Sequence, residues 1–447
     1  MSDSTGRPVT VVGGGLAGSE AAWQLARRGL EVRLFEMRPA KSTEAHRTGN
    51  LAELVCSNSF KSERAPSAPA LLKRELEGLG SLLVGAARET GVPAGSALAV
   101  DREKFASLVT GKIESEPLIE VVREEFLSIP EDGHVIVATG PLTSDALATD
   151  LVRIVGNERL FFYDAIAPVV GGESIDLTRV FAASRYGKGG EDYLNVPLTE
   201  ESYGRFVEGI LAADLYPIHE FEKDLFFEAC LPIEEIARRG RNSLRFGPLK
   251  PVGLVDPSTG ERPYAAIQLR MENREGTAWN LVGCQTRMRR GEQKRIFRML
   301  PGMEDAEFLR YGSLHRNTFL CAPKVLDSRL SLRAKPRVRL AGQITGVEGY
   351  VESIAMGLVA AIETARDLRG DSPVDWARET AIGSLLHFLQ DADPDDFQPT
   401  NIHFGLFPAL DKRVRKKRER QEAVWERAVR SFNRMVARQP DLGASES

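Results

Sequence analysis

A short apolar strand that runs through three glycines straight into a helix leaves a chain few ways to fold. Pro8-Val9-Thr10-Val11-Val12 is such a strand, and it passes directly into Gly13-Gly14-Gly15-Leu16-Ala17-Gly18. Helical spacing covers Ser19 to Arg28, Gly29 closes the helix, and Glu31-Val32-Arg33-Leu34-Phe35 reads as a second strand ending in Glu36. The pattern predicts a βαβ unit. Gly13 permits a tight turn, Gly15 lets the main chain approach a pyrophosphate, and Gly18 lets helix and strand pack closely. The helix start, from Gly14 through Leu16 and Ala17, offers N–H groups and a positive dipole end to phosphates. Glu36 stands where an acid accepts hydrogen bonds from ribose hydroxyls. Dinucleotide binding follows; the bland alternative is a glycine-rich turn in an unrelated α/β domain.

This unit alone does not separate FAD from NAD. Two later segments favour FAD. His134-Val135-Ile136-Val137-Ala138-Thr139-Gly140 is a strand ending in Ala-Thr-Gly, a pattern of FAD-binding proteins of the glutathione reductase type. Val338-Arg339-Leu340-Ala341-Gly342-Gln343 is another strand into a glycine turn, followed by Gly349-Tyr350-Val351-Glu352-Ser353 and a helix of small residues from Ile354 to Ala365. The expected fold is therefore α/β: a Rossmann-like FAD-binding domain of the glutathione reductase type, assembled from residues 1–160 and 330–447. Residues 161–329 are expected to form a mixed α/β insertion domain, with strand-like runs at Ala265-Ala266-Ile267-Gln268-Leu269 and Trp279-Asn280-Leu281-Val282-Gly283. Residues 70–90 carry leucines at helical spacing, the chain beyond 410 reads as a basic helix, and Pro440 to Ser447 reads as a frayed end.

Composition excludes several classes. Of 447 residues, 42% are hydrophobic and 27% charged, which suits a globular protein and not a disordered or collagen-like one. The net charge of −4 means that any RNA contact must come from local basic patches. Cys56, Cys230, Cys284 and Cys321 form no CxxC pair, so no metal site is expected, and so few cysteines suit a reducing cytosol. No apolar run approaches the length of a membrane span and no secretory leader is expected, so the expected location is cytoplasmic.

Several segments go beyond a generic flavoprotein. Gly15-Leu16-Ala17-Gly18-Ser19-Glu20-Ala21-Ala22-Trp23, Val55-Cys56-Ser57-Asn58-Ser59, Phe226-Phe227-Glu228-Ala229-Cys230, Gly247-Pro248-Leu249-Lys250-Pro251-Val252-Gly253-Leu254 and His315-Arg316-Asn317-Thr318 together resemble the bacterial folate- and FAD-dependent tRNA (uracil-5-)-methyltransferases. The resemblance runs from about residue 8 to residue 430. It implies formation of 5-methyluridine at T-loop position 54 of tRNA. The carbon would come from 5,10-methylenetetrahydrofolate, and the reducing equivalents from FAD recharged by NAD(P)H. It also implies that Cys230 is the nucleophile and Cys56 a second functional cysteine near the flavin. No obligate protein partner is expected.

Each candidate has a bland counterpart. A lone cysteine is ordinarily a small core residue, and Cys284 and Cys321 are read that way. Cys56 lies in a polar Ser/Asn stretch, an unusual setting for a structural thiol. His315 and Arg316 are expected at the folate, where a flat imidazole stacks on the pterin; the alternative is a structural histidine. Arg185 and Lys188 are expected to contact folate or RNA, or else to form a solvated turn. Two basic stretches are candidates for RNA phosphates: 287–295, with Arg287 and Arg289, and 412–420, with Lys412 and Arg415. A solvated helix face is the alternative for both. Competing functions are a flavoprotein that modifies wobble uridines, whose members are longer, a small-molecule flavin oxidoreductase, and a non-catalytic RNA-binding flavoprotein.

Overall fold

The first strand sits at the centre of a six-stranded sheet. The computed structural model describes residues 7–43, 45–156, 159–187, 190–216, 231–395, 397–412 and 414–442; for 159–165, 314–318 and 440 it describes the main chain alone. Across the sheet the strands run Ser331–Leu332, Lys335–Leu340, Val135–Val137, Val9–Val12, Val32–Phe35 and Ile119–Val122. Neighbours are parallel except the edge pair Ser331–Leu332 and Lys335–Leu340. Val9, Val11, Val12 and all of Val135–Val137 are buried, as expected where helices cover both faces of a parallel sheet. Lys335–Leu340 lies directly beside Val135–Val137, so the glycine turn at Gly342 joins the same sheet edge as the turns at Gly13 and Gly140.

A second six-stranded sheet is wholly antiparallel, in the order Phe181–Ala182, Tyr193–Leu198, Ala265–Met271, Ala278–Leu281, Val169–Gly171, Phe308–Arg310. Its hydrophobic core draws on residues between Val170 and Ala306. The core of the parallel sheet draws on residues from Val9 to Leu151 and from Phe319 to Leu442. Between the two bodies the chain travels out along Arg159–Ala165 and back along Leu314–Leu320, and these strands pair antiparallel. A small third sheet, Ser59–Ser62, Ala97–Val100 and Gly91–Val92, lies next to the Cys56 segment. Among the described residues no helix is long and apolar enough to cross a membrane, and no group of side chains is arranged to hold a metal ion.

Two helices carry the turns. Leu16–Ala26 follows the first strand, and Tyr350–Arg369 follows Gly342 and Gly349. The second begins earlier and ends later than the small-residue run suggested. A Cβ on Gly18 would lie 1.8 Å from the Gly13 carbonyl oxygen, and one on Gly357 would lie 2.1 Å from that of Ala17. The first contact is the close helix–strand approach that the glycine spacing predicted. The second, helix against helix, had no sequence signal. The expected helix over 70–90 is two helices, Ala68–Gly78 and Leu82–Glu89. Gly80, at φ 75°, breaks it, and the Ser81 hydroxyl caps the second helix by accepting from the Val84 amide at 3.3 Å.

Steric space separates two helical glycines. Gly357→Ala drives a methyl into backbone and is expected to destabilise by about 2 kcal/mol. Gly111→Ala, whose Cβ meets nothing within 4 Å, is expected to stabilise by about 1 kcal/mol. Urea denaturation of the two variants measures both; equal effects would contradict the packing described.

Candidate active site

At the C-terminal ends of the parallel strands lies a cavity. Gly13, Gly15, Leu16, Ala17, Glu36, Thr139, Gly140, Gly342, Gln343 and Tyr350 all line it. Neither Gly15 nor Gly349, the residues that precede the two helices, provides a side-chain cap, and the first-turn residues Leu16 and Ala17 of one helix and Tyr350 and Ser353 of the other line this space. A Cβ on Gly15 would meet nothing within 4 Å, whereas one on Gly13, at φ +101°, would lie 2.7 Å from the Ala138 carbonyl oxygen. An elongated anionic ligand therefore has an open approach at Gly15 beside a turn that only glycine makes comfortably. These features fit a flavin dinucleotide.

Glu36 is more deeply engaged than the motif rule suggests. It is 5% exposed. Its Oε1 accepts from the Arg38 amide and Nε at 3.0 and 2.8 Å; its Oε2 accepts from the Gly14 amide and Arg38 Nη2 at 2.9 and 3.0 Å. The protein thus fills the roughly four acceptor positions of a carboxylate. Glu36 still faces the cavity, but any ribose hydroxyl must share an oxygen with Arg38. The principal work of Glu36 here is to fix the Gly14 turn. Arg38, 2% exposed, also pairs with Glu53 at 3.0 Å. Burial pushes the Glu36 carboxyl up, and Arg38 outweighs it, leaving it below its ordinary value. Gln343 donates to Glu348 at 2.6 Å, which sets its amide at the cavity wall.

The Cys56 segment closes onto this cavity. The Cys56 and Ser57 amides donate to the Tyr350 hydroxyl oxygen at 3.0 and 3.1 Å. Arg102 and Arg310 donate to the Cys56 carbonyl at 2.8 and 3.1 Å. Arg270 donates to Asn58 Oδ1 and Ser57 Oγ, each at 2.9 Å. Glu272, 6% exposed, pairs with Arg102. These partners come from both bodies. Sequence reading missed all four charged residues, because no motif joins positions so far apart.

A dinucleotide cavity with a cysteine loop locked against it narrows the relatives to consider. The glucose inhibited division protein A family model matches residues 8–372. The methylenetetrahydrofolate–tRNA-(uracil-5-)-methyltransferase TrmFO of Pelotomaculum thermopropionicum is 55% identical over 430 residues, covering 96% of this chain and 98% of that protein. The protein of the same name from Desulforudis audaxviator is 56% identical over 422 residues, covering 94% and 96%. The chain belongs to the methylenetetrahydrofolate–tRNA-(uracil-5-)-methyltransferase family. Among solved structures, GidA of Aquifex aeolicus in its form II crystal matches with a TM-score of 0.69 and 16% identity, covering 98% of this chain and 74% of that one. The fold is the Rossmann-like, flavoprotein-type α/β fold that the sequence implied.

The remaining residues that the family resemblance singled out fall in different places. Cys230 and Lys188 lie outside the described residues. His315 and Arg316 stand on the returning strand Leu314–Leu320, in register with Asp164 and Tyr163 of the outgoing strand. Arg185 is half-buried; it donates to Gln268 at 2.6 Å and to the Lys250 carbonyl, which ties it to the GPLKPVGL segment. Arg287 is 8% exposed and donates to Glu235 and the Tyr216 carbonyl at 2.7 and 2.9 Å. It is therefore not the surface cation that its basic run suggested; burial and Glu235 commit it to the interior of its own body. Arg289 is exposed and pairs with Asp214 at 2.9 Å. Lys412 and Arg415 are exposed and line a groove with Arg420 and Phe404. Cys284 and Cys321 are buried, and burial pushes the Cys284 thiol up.

The Glu36 arrangement has a pH signature. Its folded pKa lies below that of the unfolded chain, so between them the unfolded chain binds more protons. The stabilisation is complete above the ordinary carboxyl value of 4.5 and is lost as pH falls through the lower folded value. Glu36→Gln is expected to cost about 3 kcal/mol at neutral pH, as when a buried pair loses one charge. Its deficit relative to the wild type should shrink below about pH 4. Denaturation midpoints of both proteins across this range check it; a deficit independent of pH would contradict the geometry.

Proposed function

We propose that this protein methylates uracil C5 in tRNA, forming 5-methyluridine at T-loop position 54 with carbon from 5,10-methylenetetrahydrofolate. The observation that carries this reading is the junction at Tyr350. Its ring lines the dinucleotide cavity, and its hydroxyl takes the amides of Cys56 and Ser57. Bound FAD, reduced by NAD(P)H, supplies the reducing equivalents. The residues that would hold it are those of the Gly13–Gly18 turn, whose Gly14 amide Glu36 fixes with Arg38, together with Gly342, Gln343 and Tyr350.

Uracil C5 is a weak nucleophile. Addition of a thiolate at C6 gives C5 enolate character, which lets it attack a one-carbon unit and then release its proton. Cys230 is the residue assigned to that addition. Cys56, anchored beside the cavity, acts at the flavin side. We read residues 1–160 and 330–447 as the FAD domain and 161–329 as the insertion that completes the folate and tRNA cleft; the separate cores support two bodies, although Phe319 to Leu326 pack into the core of the first. A cytoplasmic location follows from the substrate. The target base of a folded T-loop must be extruded to reach such a cavity.

The function is tested by giving purified protein unmodified tRNA, isotope-labelled methylenetetrahydrofolate and NAD(P)H, then reading nucleosides by mass spectrometry. Labelled 5-methyluridine that disappears in Cys230→Ala is expected. Its absence from a folded, flavin-bound wild type would move the protein to wobble-uridine or small-molecule flavin chemistry.

The two basic stretches are expected to differ in RNA binding. Among the described residues, Arg287, Arg289 and Arg295 have acidic partners, whereas Lys412, Arg415 and Arg420 form no ion pair. Cations without acidic partners are the ones that gain from phosphates. Replacing Lys412 and Arg415 together by Gln should weaken tRNA binding roughly tenfold and reduce the salt slope by about 2, with flavin content unchanged. Arg289→Gln should do little. Anisotropy titrations at several salt concentrations measure both variants, and equal effects would contradict the assignment.

A further inference from the structure

The strand Ala265–Met271 buries Ala265, Ile267 and Leu269 in the core of its own body and turns the alternate residues to the other face of the sheet. Three segments dock along that other face. At Arg270 it is Ser57 and Asn58, the neighbours of Cys56, each held at 2.9 Å. At Gln268 it is Arg185, whose Nε donates to the Gln268 side-chain oxygen at 2.6 Å and whose Nη1 donates to the Lys250 carbonyl. At Ala266 it is the turn 247–254: Leu254, Ala266 and Phe181 form a small buried core, and the Leu249 carbonyl accepts from the Ala266 amide at 3.0 Å. Each step of two residues covers about 7 Å of strand. Arg185 and the turn therefore lie on the same sheet face as the Cys56 loop and close to it.

This anchored turn carries aromatic rings on its outside. Tyr186 has φ 61° and ψ 23°, a left-handed conformation that bulky residues rarely take. Its amide donates to the Gly253 carbonyl at 2.9 Å. Gly253 is at φ +81°, and a Cβ there would lie 2.9 Å from Cγ and Cδ1 of Tyr186. The ring thus rests against glycine main chain, yet Tyr186 is 59% exposed. Phe246, just before the turn, is 73% exposed. The Arg245 guanidinium lies 5.4 Å from the Phe246 ring centroid and 4.0 Å from that of Tyr264, with its Nε donating to the Tyr264 carbonyl at 2.9 Å. Lys250, between the two exposed rings in sequence, is itself exposed. Holding a ring outward in a costly backbone conformation is a feature of binding surfaces. Cations beside the rings suit a ligand that combines flat faces with negative charge. The lining of the nucleotide cavity includes neither ring, so the surface is open, as a polymer requires, rather than the enclosing cleft of a small molecule.

We infer that Tyr186 and Phe246 form a stacking surface for unpaired bases of tRNA, set on the sheet face that leads to the Cys56 loop. A base that enters the site leaves its stack, and the nucleotides beside it lose a neighbour that an aromatic ring replaces. Arg185 then acts through Tyr186: tied to Gln268 and Lys250, it fixes the ring and does not itself meet RNA. Gly253 supplies the room that the ring needs. The inference rests on the reading of this protein as a tRNA-modifying enzyme and adds to it where the loop nucleotides lie. Stacking is independent of phosphate charge, so this surface contributes differently from Lys412 and Arg415.

The experiment is fluorescence anisotropy of labelled unmodified tRNA against the flavin-loaded full chain at several salt concentrations. Tyr186→Ala and Phe246→Ala should each weaken binding roughly tenfold, with the salt slope unchanged, because stacking releases no counterions. Tyr186→Phe and Phe246→Tyr, which keep the ring, should bind as the wild type does. A fully paired RNA duplex, whose base faces are covered, should bind every variant alike. Unchanged tRNA affinity in both alanine variants overturns the inference and points to a protein partner for the patch. A loss that comes with a shallower salt slope, or an equal loss on the duplex, also overturns it, since either marks a phosphate contact. If Tyr186→Ala lowers flavin content, Phe246→Ala, which lies outside the turn, decides. A wild type without affinity for tRNA would sink the methyltransferase reading too, whereas alanine variants that match a tightly binding wild type would sink the stacking surface alone.

Discussion

The site depends on one close crossing. The helices Leu16–Ala26 and Tyr350–Arg369 approach so nearly that a methyl at Gly357 would collide with the Ala17 carbonyl. Gly342 is similarly tight against Ala17, where an added Cβ would lie 2.9 Å from the alanine methyl. This contact brings two segments separated by more than three hundred residues onto one sheet edge. It also aims both helix N-termini at one cavity. Without it Tyr350 would not reach the Cys56 loop.

From that crossing the rest of the site follows in steps. Tyr350, in the first turn of its helix, projects its hydroxyl to the amides of Cys56 and Ser57. The loop carbonyls then face away, where Arg102 and Arg310 take them up. Because Arg270 and Arg310 come from the antiparallel sheet, and Glu272 directly follows its strand Ala265–Met271, the loop is also the seam between the two bodies. Lys73 steadies the strand that follows: it is 1% exposed and donates to the Phe60 and Ser62 carbonyls at 2.7 and 2.8 Å.

The parts of this arrangement legible in the sequence are those governed by local rules. The glycine turn, its strand and its helix are contiguous, so spacing alone exposes them. The late strand at Lys335–Leu340 was legible because it repeats the strand-to-glycine pattern at Gly342. Gly357 was not, since its requirement arises from Ala17 on another helix. Glu36 lines the cavity, but Arg38, two residues on, occupies the carboxylate that the motif rule reserves for ribose. Basic runs were legible as composition only; whether a cation meets Glu235, as Arg287 does, or lines a groove with no acidic partner among the described residues, as Lys412 does, is decided by tertiary neighbours. The arginines around Cys56 belong to the same class of long-range facts. Family resemblance supplied Cys230, which would otherwise read as an ordinary core residue, whereas Cys56 already stood out by its polar Ser/Asn setting.

The central structural claim is that the nucleotide cavity and the Cys56 loop form a single site. The visible absorption spectrum of the bound flavin, compared between the wild type and Cys56→Ser at neutral pH, tests it most directly. A charged or polar group beside an isoalloxazine ring alters its bands. The account predicts a changed spectrum at unchanged flavin stoichiometry. Superimposable spectra from two fully loaded proteins would show that Cys56 does not sense the flavin, and would contradict it.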